Sequence, residues 1–153
     1  MGPDIEEEIV DALNALRKRY TYVFTTGGIG PTHDDITFEC VARAFGLPLI
    51  KDPGAVKLLT NHYGEANLTE ARLRMAHMPE GATLIDNPVS TAPGFQIGNV
   101  FVLAGVPAIC RAMFDGLKGR LKTGDKVLSV TVSGYVGEGV IAKGLGELEQ
   151  RYP

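Results

Sequence analysis

The chain reads as an α/β protein, a three-layer sandwich around a mostly parallel sheet with an antiparallel hairpin at its edge. Three observations predict this. Short runs rich in β-branched and aromatic residues alternate with longer segments whose apolar residues recur at helical spacing. A strand passes through a glycine-rich turn into a helix at residues 20–45, and a second strand-glycine-helix junction follows at residues 102–107. Two apolar runs, 95–97 and 100–103, are joined by Gly98-Asn99, a hairpin signal.

In chain order, residues 4–19 predict a helix, with Ile5, Ile9, Ala12, Leu13 and Leu16 on one face and Asp4 and Glu7 as a capping pair. Residues 20–25 predict a strand. The helix after it runs from Asp35 to Gly46, stopped by that glycine and by Pro48, with Ile36, Cys40, Val41, Ala44 and Phe45 buried. A short strand at 47–51 and a helix from Asp52 or Pro53 to Tyr63 follow. A further helix at 68–77 is capped by Thr69. Pro79-Glu80-Gly81 is a turn and 83–85 a strand. After the hairpin, Pro107 occupies the first turn of a helix that buries Ile109, Met113, Leu117 and Leu121. Residues 122–125 predict a turn, 126–132 a strand by alternation, and the pattern to Gln150 a last helix. The domain is expected over 1–121, with 122–153 opening a following segment.

Composition narrows the function. The 153 residues are enough for one domain with a sizeable core, and a charged content of 22% is ordinary for a globular protein. The net charge of −3 gives no broad basic surface, which argues against nucleic acid as a partner. No apolar run approaches the ~20 residues of a membrane span, and the acidic start differs from a signal peptide. Cys40 and Cys110 sit apart in apolar, helix-like settings without a metal-spaced partner, so they read as free thiols in a reducing, cytoplasmic setting.

Residues 25–35, Thr-Thr-Gly-Gly-Ile-Gly-Pro-Thr-His-Asp-Asp, carry the chemistry. Glycines let the backbone approach a ligand and expose successive N–H groups, and the helix behind adds unpaired donors and a positive dipole end. A phosphate or pyrophosphate site results, with Thr26, Gly27, Gly28, Gly30 and Thr32 as its residues. Asp34 and Asp35 at the rim suit a hard divalent cation such as Mg²⁺, with Asp35 the catalytic candidate. Asp35 has a second reading as the partner of Thr32 in a capping box. No lysine follows the glycines as in a P-loop, and His33 stands where a dinucleotide fingerprint needs glycine. A second loop, 86–94, offers Ser90 and Thr91, and the later junction offers Gly105. His62 and His77 have no partner at metal spacing and read as structural.

The run 26–37 resembles the signature loop of the molybdopterin-binding (MoaB/MogA-like) domain, most nearly the form in the CinA N-terminal domain and the FAD synthase N-terminal domain. Asn87-Pro88-Val89-Ser90-Thr91-Ala92-Pro93-Gly94-Phe95 resembles the second loop of that family, and Val102-Leu103-Ala104-Gly105-Val106-Pro107 its strand-to-helix turn. The resemblance covers roughly residues 20–120. Family members usually begin with a β-α-β portion carrying an early acidic motif, and this chain is expected to lack it. The resemblance implies a MogA-like fold, a pterin phosphate or nucleoside diphosphate ligand, molybdopterin included, and self-association into a homo-oligomer. For the CinA form it implies metal-dependent hydrolysis of the pyrophosphate in ADP-ribose. Two alternatives stay open: adenylyl transfer to molybdopterin in molybdenum-cofactor biosynthesis, and a non-catalytic binding or assembly module.

Overall fold

The computed structural model describes residues 5–125 and 127–152. The fold follows from one strand that is apolar on both faces. Val100-Phe101-Val102-Leu103 contains no polar side chain, so a strand made of it has to be covered on both sides. It forms β6 (Val100–Leu103), and every residue of it is buried. Val100 and Val102 face one cluster with Leu13, Phe38, Val41 and Leu59; Phe101 and Leu103 face another with Ile85, Met113 and Leu117. Burying each such side chain is worth about 1.5–3 kcal/mol relative to leaving it in water.

The first cluster is supplied largely by α1 (Glu6–Arg19), α2 (Thr37–Phe45) and α3 (Pro53–Tyr63), and the second by α5 (Pro107–Leu117). Between them lies a four-stranded sheet in the order β1 (Val23–Thr26), β6, β5 (Gly94–Ile97), β4 (Thr83–Ile85). This is the expected α/β sandwich. Among the described residues parallel pairing is confined to β1 with β6, in register Val23 with Val100 through Thr26 with Leu103. The β5–β6 and β4–β5 pairs are antiparallel. The hairpin therefore lies inside the sheet, because β4 adds to its outer side and takes the edge.

Local signals act where expected. Asp52 accepts the amide of Ala55 at 2.9 Å and Pro53 opens α3. Thr69 accepts the amide of Arg72 at the start of α4 (Glu70–Arg74). Gly46 closes α2 in the left-handed conformation. Arg17, at the end of α1, donates to the carbonyl of Ala44 at 2.9 Å and lies over the Phe45 ring. Asn99 in the hairpin donates to the carbonyls of Arg17 and Tyr20, fixing the end of α1 to the sheet.

Other expectations are corrected. The helix expected at 68–77 is shortened to the five-residue α4, and a separate 3₁₀ turn, Glu65–Asn67, precedes it. His77 belongs to β3 (His77–Pro79), which pairs antiparallel with β2 (Leu49–Lys51) in a separate two-stranded sheet. Met78 points inward there, and that burial outweighs helix propensity. The helix after the first loop starts at Thr37, two residues later than Asp35. Asp4 and Lys126 lie outside the described residues.

Residues up to Lys122 form one compact unit and Thr123 onward a second. In the second, α6 (Glu138–Arg151) is the expected last helix. The strand expected at 126–132 is absent among the described residues: Val127, Leu128, Val130 and Val132 are each more than three-quarters exposed. Alternation makes a strand only where one face finds cover, and none of these four side chains does.

Candidate functional site

The cleft begins where two adjacent parallel strands end. The amide of Gly27 continues the β1–β6 ladder by donating to the carbonyl of Leu103 at 2.9 Å. Beyond that bond both chains leave the sheet on the same side, one through Gly28-Ile29-Gly30 and the other through Ala104-Gly105-Val106. A Cβ placed on Gly105 would lie 3.0 Å from the Cα of Gly27, so the two turns touch backbone to backbone. The carboxyl ends of parallel strands are where ligands of open α/β sheets enter.

Thr37 shapes the first loop. Its amide donates to the carbonyl of Gly28 at 3.0 Å and its hydroxyl to the carbonyl of Gly27 at 3.0 Å. With both carbonyls held toward α2, the N–H groups of Gly28 and Ile29 have no acceptor among the described residues. Gly28 sits at φ +67, and a side chain there would run into the Thr37 hydroxyl. Only glycine meets both demands.

Asp35 closes the loop on itself. Its Oδ2 accepts the Thr32 hydroxyl at 2.6 Å and the Thr32 amide at 2.9 Å, while its own amide donates to the Thr32 carbonyl. The Thr32–Asp35 box thus lies within the loop, and the N-cap position, Ile36, has no side-chain cap. A Cβ on Gly30 would come within 2.6 Å of that carboxylate oxygen, so Gly30 leaves room for it. Partial burial pushes the Asp35 pKa up. The Thr32 hydroxyl and the Gly30 and Thr32 amides outweigh it, and the pKa lies below the usual carboxylate value. Asp34 is fully exposed and its pKa is lowered too, chiefly by the Thr32 side chain.

The second loop is built around Asn87, the one buried polar side chain among the described residues. Its Oδ1 accepts the amides of Val89 and Ser90, and its Nδ2 donates to Ser90 Oγ at 2.7 Å and to the Ala92 carbonyl at 2.9 Å. Both side-chain polar atoms of Asn87 are used, so the loop is already in shape without a ligand. Thr91 has φ +66, the one positive value at a non-glycine residue among those described. For a β-branched residue that conformation costs roughly 1–2 kcal/mol.

These pieces enclose a cleft of about 340 Å³ lined by Gly27, Gly28, Ile29, Gly30 and Asp35 from the first loop and by Asn87, Ser90 and Ala92 from the second. Ala104, Gly105, Val106 and Met75, at the end of α4, complete it. Of the residues expected from the sequence, Gly27, Gly28, Gly30, Asp35, Ser90 and Gly105 come together here. Thr26 lines a different, apolar groove beside Phe24 and Phe114. Thr32 and Asp34 stand at the rim, outside the lining. Thr91 turns away, and its Oγ1 lies 3.1 Å from Nδ1 of His62. Sequence reasoning assigned no site role to Thr37, Asn87 or Met75 and read His62 as structural. Only Asn87 gave a local signal, an Asx-type residue opening a proline-containing loop.

Among the described residues Asp35 is the only ionisable side chain in the lining. Its Oδ1 and the Asp34 carboxylate are the oxygens available to a cation, and among the described residues no group of three or more His, Cys, Asp or Glu side chains converges. That donor set fits Mg²⁺, which commonly takes one or two carboxylates and completes its shell with phosphate oxygens and water.

Fold and cleft define an α/β domain with a cleft at the ends of two parallel strands. The chain belongs to the molybdopterin-binding domain family: the family model described as "Probable molybdopterin binding domain" matches residues 1–123. Within that family it is a CinA-like domain of the MoaB/MogA type. A protein of Pyrobaculum calidifontis is 40% identical over 120 residues, covering 74% of this chain and 46% of its own length. A CinA-like protein of Myxococcus xanthus is 35% identical over 119 residues, covering 74% of this chain and 28% of its own. The crystal structure of a CinA protein of unknown function from Thermoplasma acidophilum superposes with a TM-score of 0.70 at 36% identity, covering 76% of this chain and 72% of that one. The chain thus spans less than half the length of these two curated relatives. Among the described residues no helix is long and apolar enough to cross a membrane.

Proposed function

We propose that the cleft binds a small phosphate-bearing ligand, a pterin phosphate or a nucleoside diphosphate compound, and that with a divalent cation it hydrolyses the pyrophosphate of an ADP-ribose-like substrate. The observation that carries this reading is the pair of acceptor-less amides at Gly28 and Ile29 beside an ionised carboxylate. The amides suit phosphoryl oxygens. Ile29, Met75, Ala92, Ala104 and Val106 offer apolar surface to a planar ring, and Ser90 offers a hydroxyl.

In this reading Asp35 and Asp34 hold the cation. When bound, it supplies charge that polarises a phosphoryl oxygen. Thr32 keeps the Asp35 carboxylate turned and ionised, and Gly30 leaves space for it. The cytoplasmic placement expected from the sequence draws on two free cysteines, Cys40 and Cys110.

The test is incubation with ADP-ribose and Mg²⁺ or Co²⁺, followed by measurement of AMP, in the parent and in Asp35→Ala. Release of AMP by the parent and its loss in the variant is expected; turnover unaffected by the substitution removes Asp35 from the mechanism. A second reading, a binding module without turnover, draws on the single ionisable side chain in the lining. Absence of AMP together with a thermal shift by nucleotide would select it. Adenylyl transfer to molybdopterin would use the same cleft and would appear as AMP incorporated into the pterin.

A further inference from the structure

We infer that His62 is the positioning residue of the second loop, acting through Thr91 to present Ser90 to the cleft as a hydrogen-bond donor. This rests on the reading of the cleft as a phosphate-ligand site.

Ser90 and Thr91 are adjacent, yet only Ser90 lines the cleft. The left-handed backbone at Thr91 makes that division, and such a conformation at a β-branched residue persists only where its surroundings hold it. Two bonds hold Thr91: its amide donates to the Asn87 carbonyl at 3.0 Å, and its hydroxyl pairs with His62 Nδ1 at 3.1 Å. The second is the one hydrogen bond that joins α3 to this loop among the described residues. The His62 ring stands edge-on to Tyr63 with centroids 4.6 Å apart, and Tyr63 packs on the main core with the Arg72 guanidinium over its face. The tether therefore ends on a fixed support.

The polarity of Ser90 follows from its other neighbour. Asn87 Nδ2 donates to Ser90 Oγ, so that oxygen is already an acceptor and the hydroxyl proton is free to point elsewhere. Toward the cleft Ser90 is a donor, as are Gly28 and Ile29 across from it. The ligand atom that meets the Ser90 proton is accordingly an acceptor: a phosphoryl oxygen, a carbonyl oxygen or an unprotonated ring nitrogen.

Two readouts test this on the full chain. The first is amide hydrogen exchange of residues 89–92 without ligand, in the parent, His62→Ala, Thr91→Val and the double variant, with residues 55–60 of α3 as the folding control. Each single change is expected to raise exchange in the loop about fivefold, the scale of one modest, exposed hydrogen bond. The double variant is expected to do no more, and His62→Asn to restore most of the protection. The second is AMP binding by calorimetry: His62→Ala should weaken it about fivefold, with no additional loss in the Ser90→Ala background. Unchanged loop exchange in both single variants, or additive losses in the Ser90→Ala background, overturns the proposal. If the parent fails to bind AMP, the ligand reading of the cleft falls, and the exchange data still decide whether His62 holds the loop.

Discussion

A Cβ on Gly105 would stand 3.0 Å from the Cα of Gly27, so the turn that leaves β6 packs directly against the turn that leaves β1. The two strand ends can share one cleft because neither turn carries a side chain at that contact. Gly105→Ala should push the turns apart. We expect a loss of about 1–2 kcal/mol in denaturant unfolding, the usual cost of mild overpacking, and weaker AMP binding than that loss alone would cause. Unchanged binding would show that the spacing of the two turns does not set the cleft.

Thr37 turns the carbonyls of Gly27 and Gly28 toward α2. Removing its hydroxyl in Thr37→Val should cost about 1 kcal/mol, one partly buried hydrogen bond, and should weaken phosphate binding through a looser glycine turn. Gly28→Ala should be worse, since it combines a positive φ with a collision against the same hydroxyl. Thermal melts and AMP titrations of both variants check the order.

Asn87 satisfies four hydrogen bonds from a buried position. Asn87→Ala should cost about 2 kcal/mol or more, because the Val89 and Ser90 amides and the Ala92 carbonyl lose their partner. Chemical denaturation measures it. A loss below 0.5 kcal/mol, small for a network of this kind, would mean that the loop holds its shape by other contacts.

The pH dependence has a definite sign. The folded pKa of Asp35 lies below its ordinary value near 3.9. Its bonds to Thr32 therefore add stability that is fully present above that ordinary value and is lost as pH falls through the lower native one. Unfolding measured across the acid range should show a smaller decline in Asp35→Asn than in the parent. An identical decline would mean that the carboxylate and Thr32 are not coupled.

How much of this was legible in the sequence depended on how local each cause was. The glycine turn, the caps at Asp52 and Thr69 and the stop at Gly46 rest on residues within four positions of one another, and all were readable. The start of α2 was not, because Thr-x-x-Asp reads the same whether it caps a helix or closes a loop before one. β3 depends on its pairing with β2, more than 20 residues away, and no local pattern reports that. The inward faces of Asn87 and Ser90 and the outward turn of Thr91 are set by a backbone angle that a threonine does not advertise. At 126–132 the alternation was real but, over the described residues, met no partner strand to give it meaning.

The N–H groups of Gly28 and Ile29, without an acceptor among the described residues, are the proposed phosphate donors. An amide-resolved NMR titration with AMP tests it most directly. The Gly28 and Ile29 N–H resonances should move furthest, with Ser90, along one saturating curve that Gly28→Ala abolishes. Binding that leaves those two amides unmoved, or that survives Gly28→Ala intact, would contradict it.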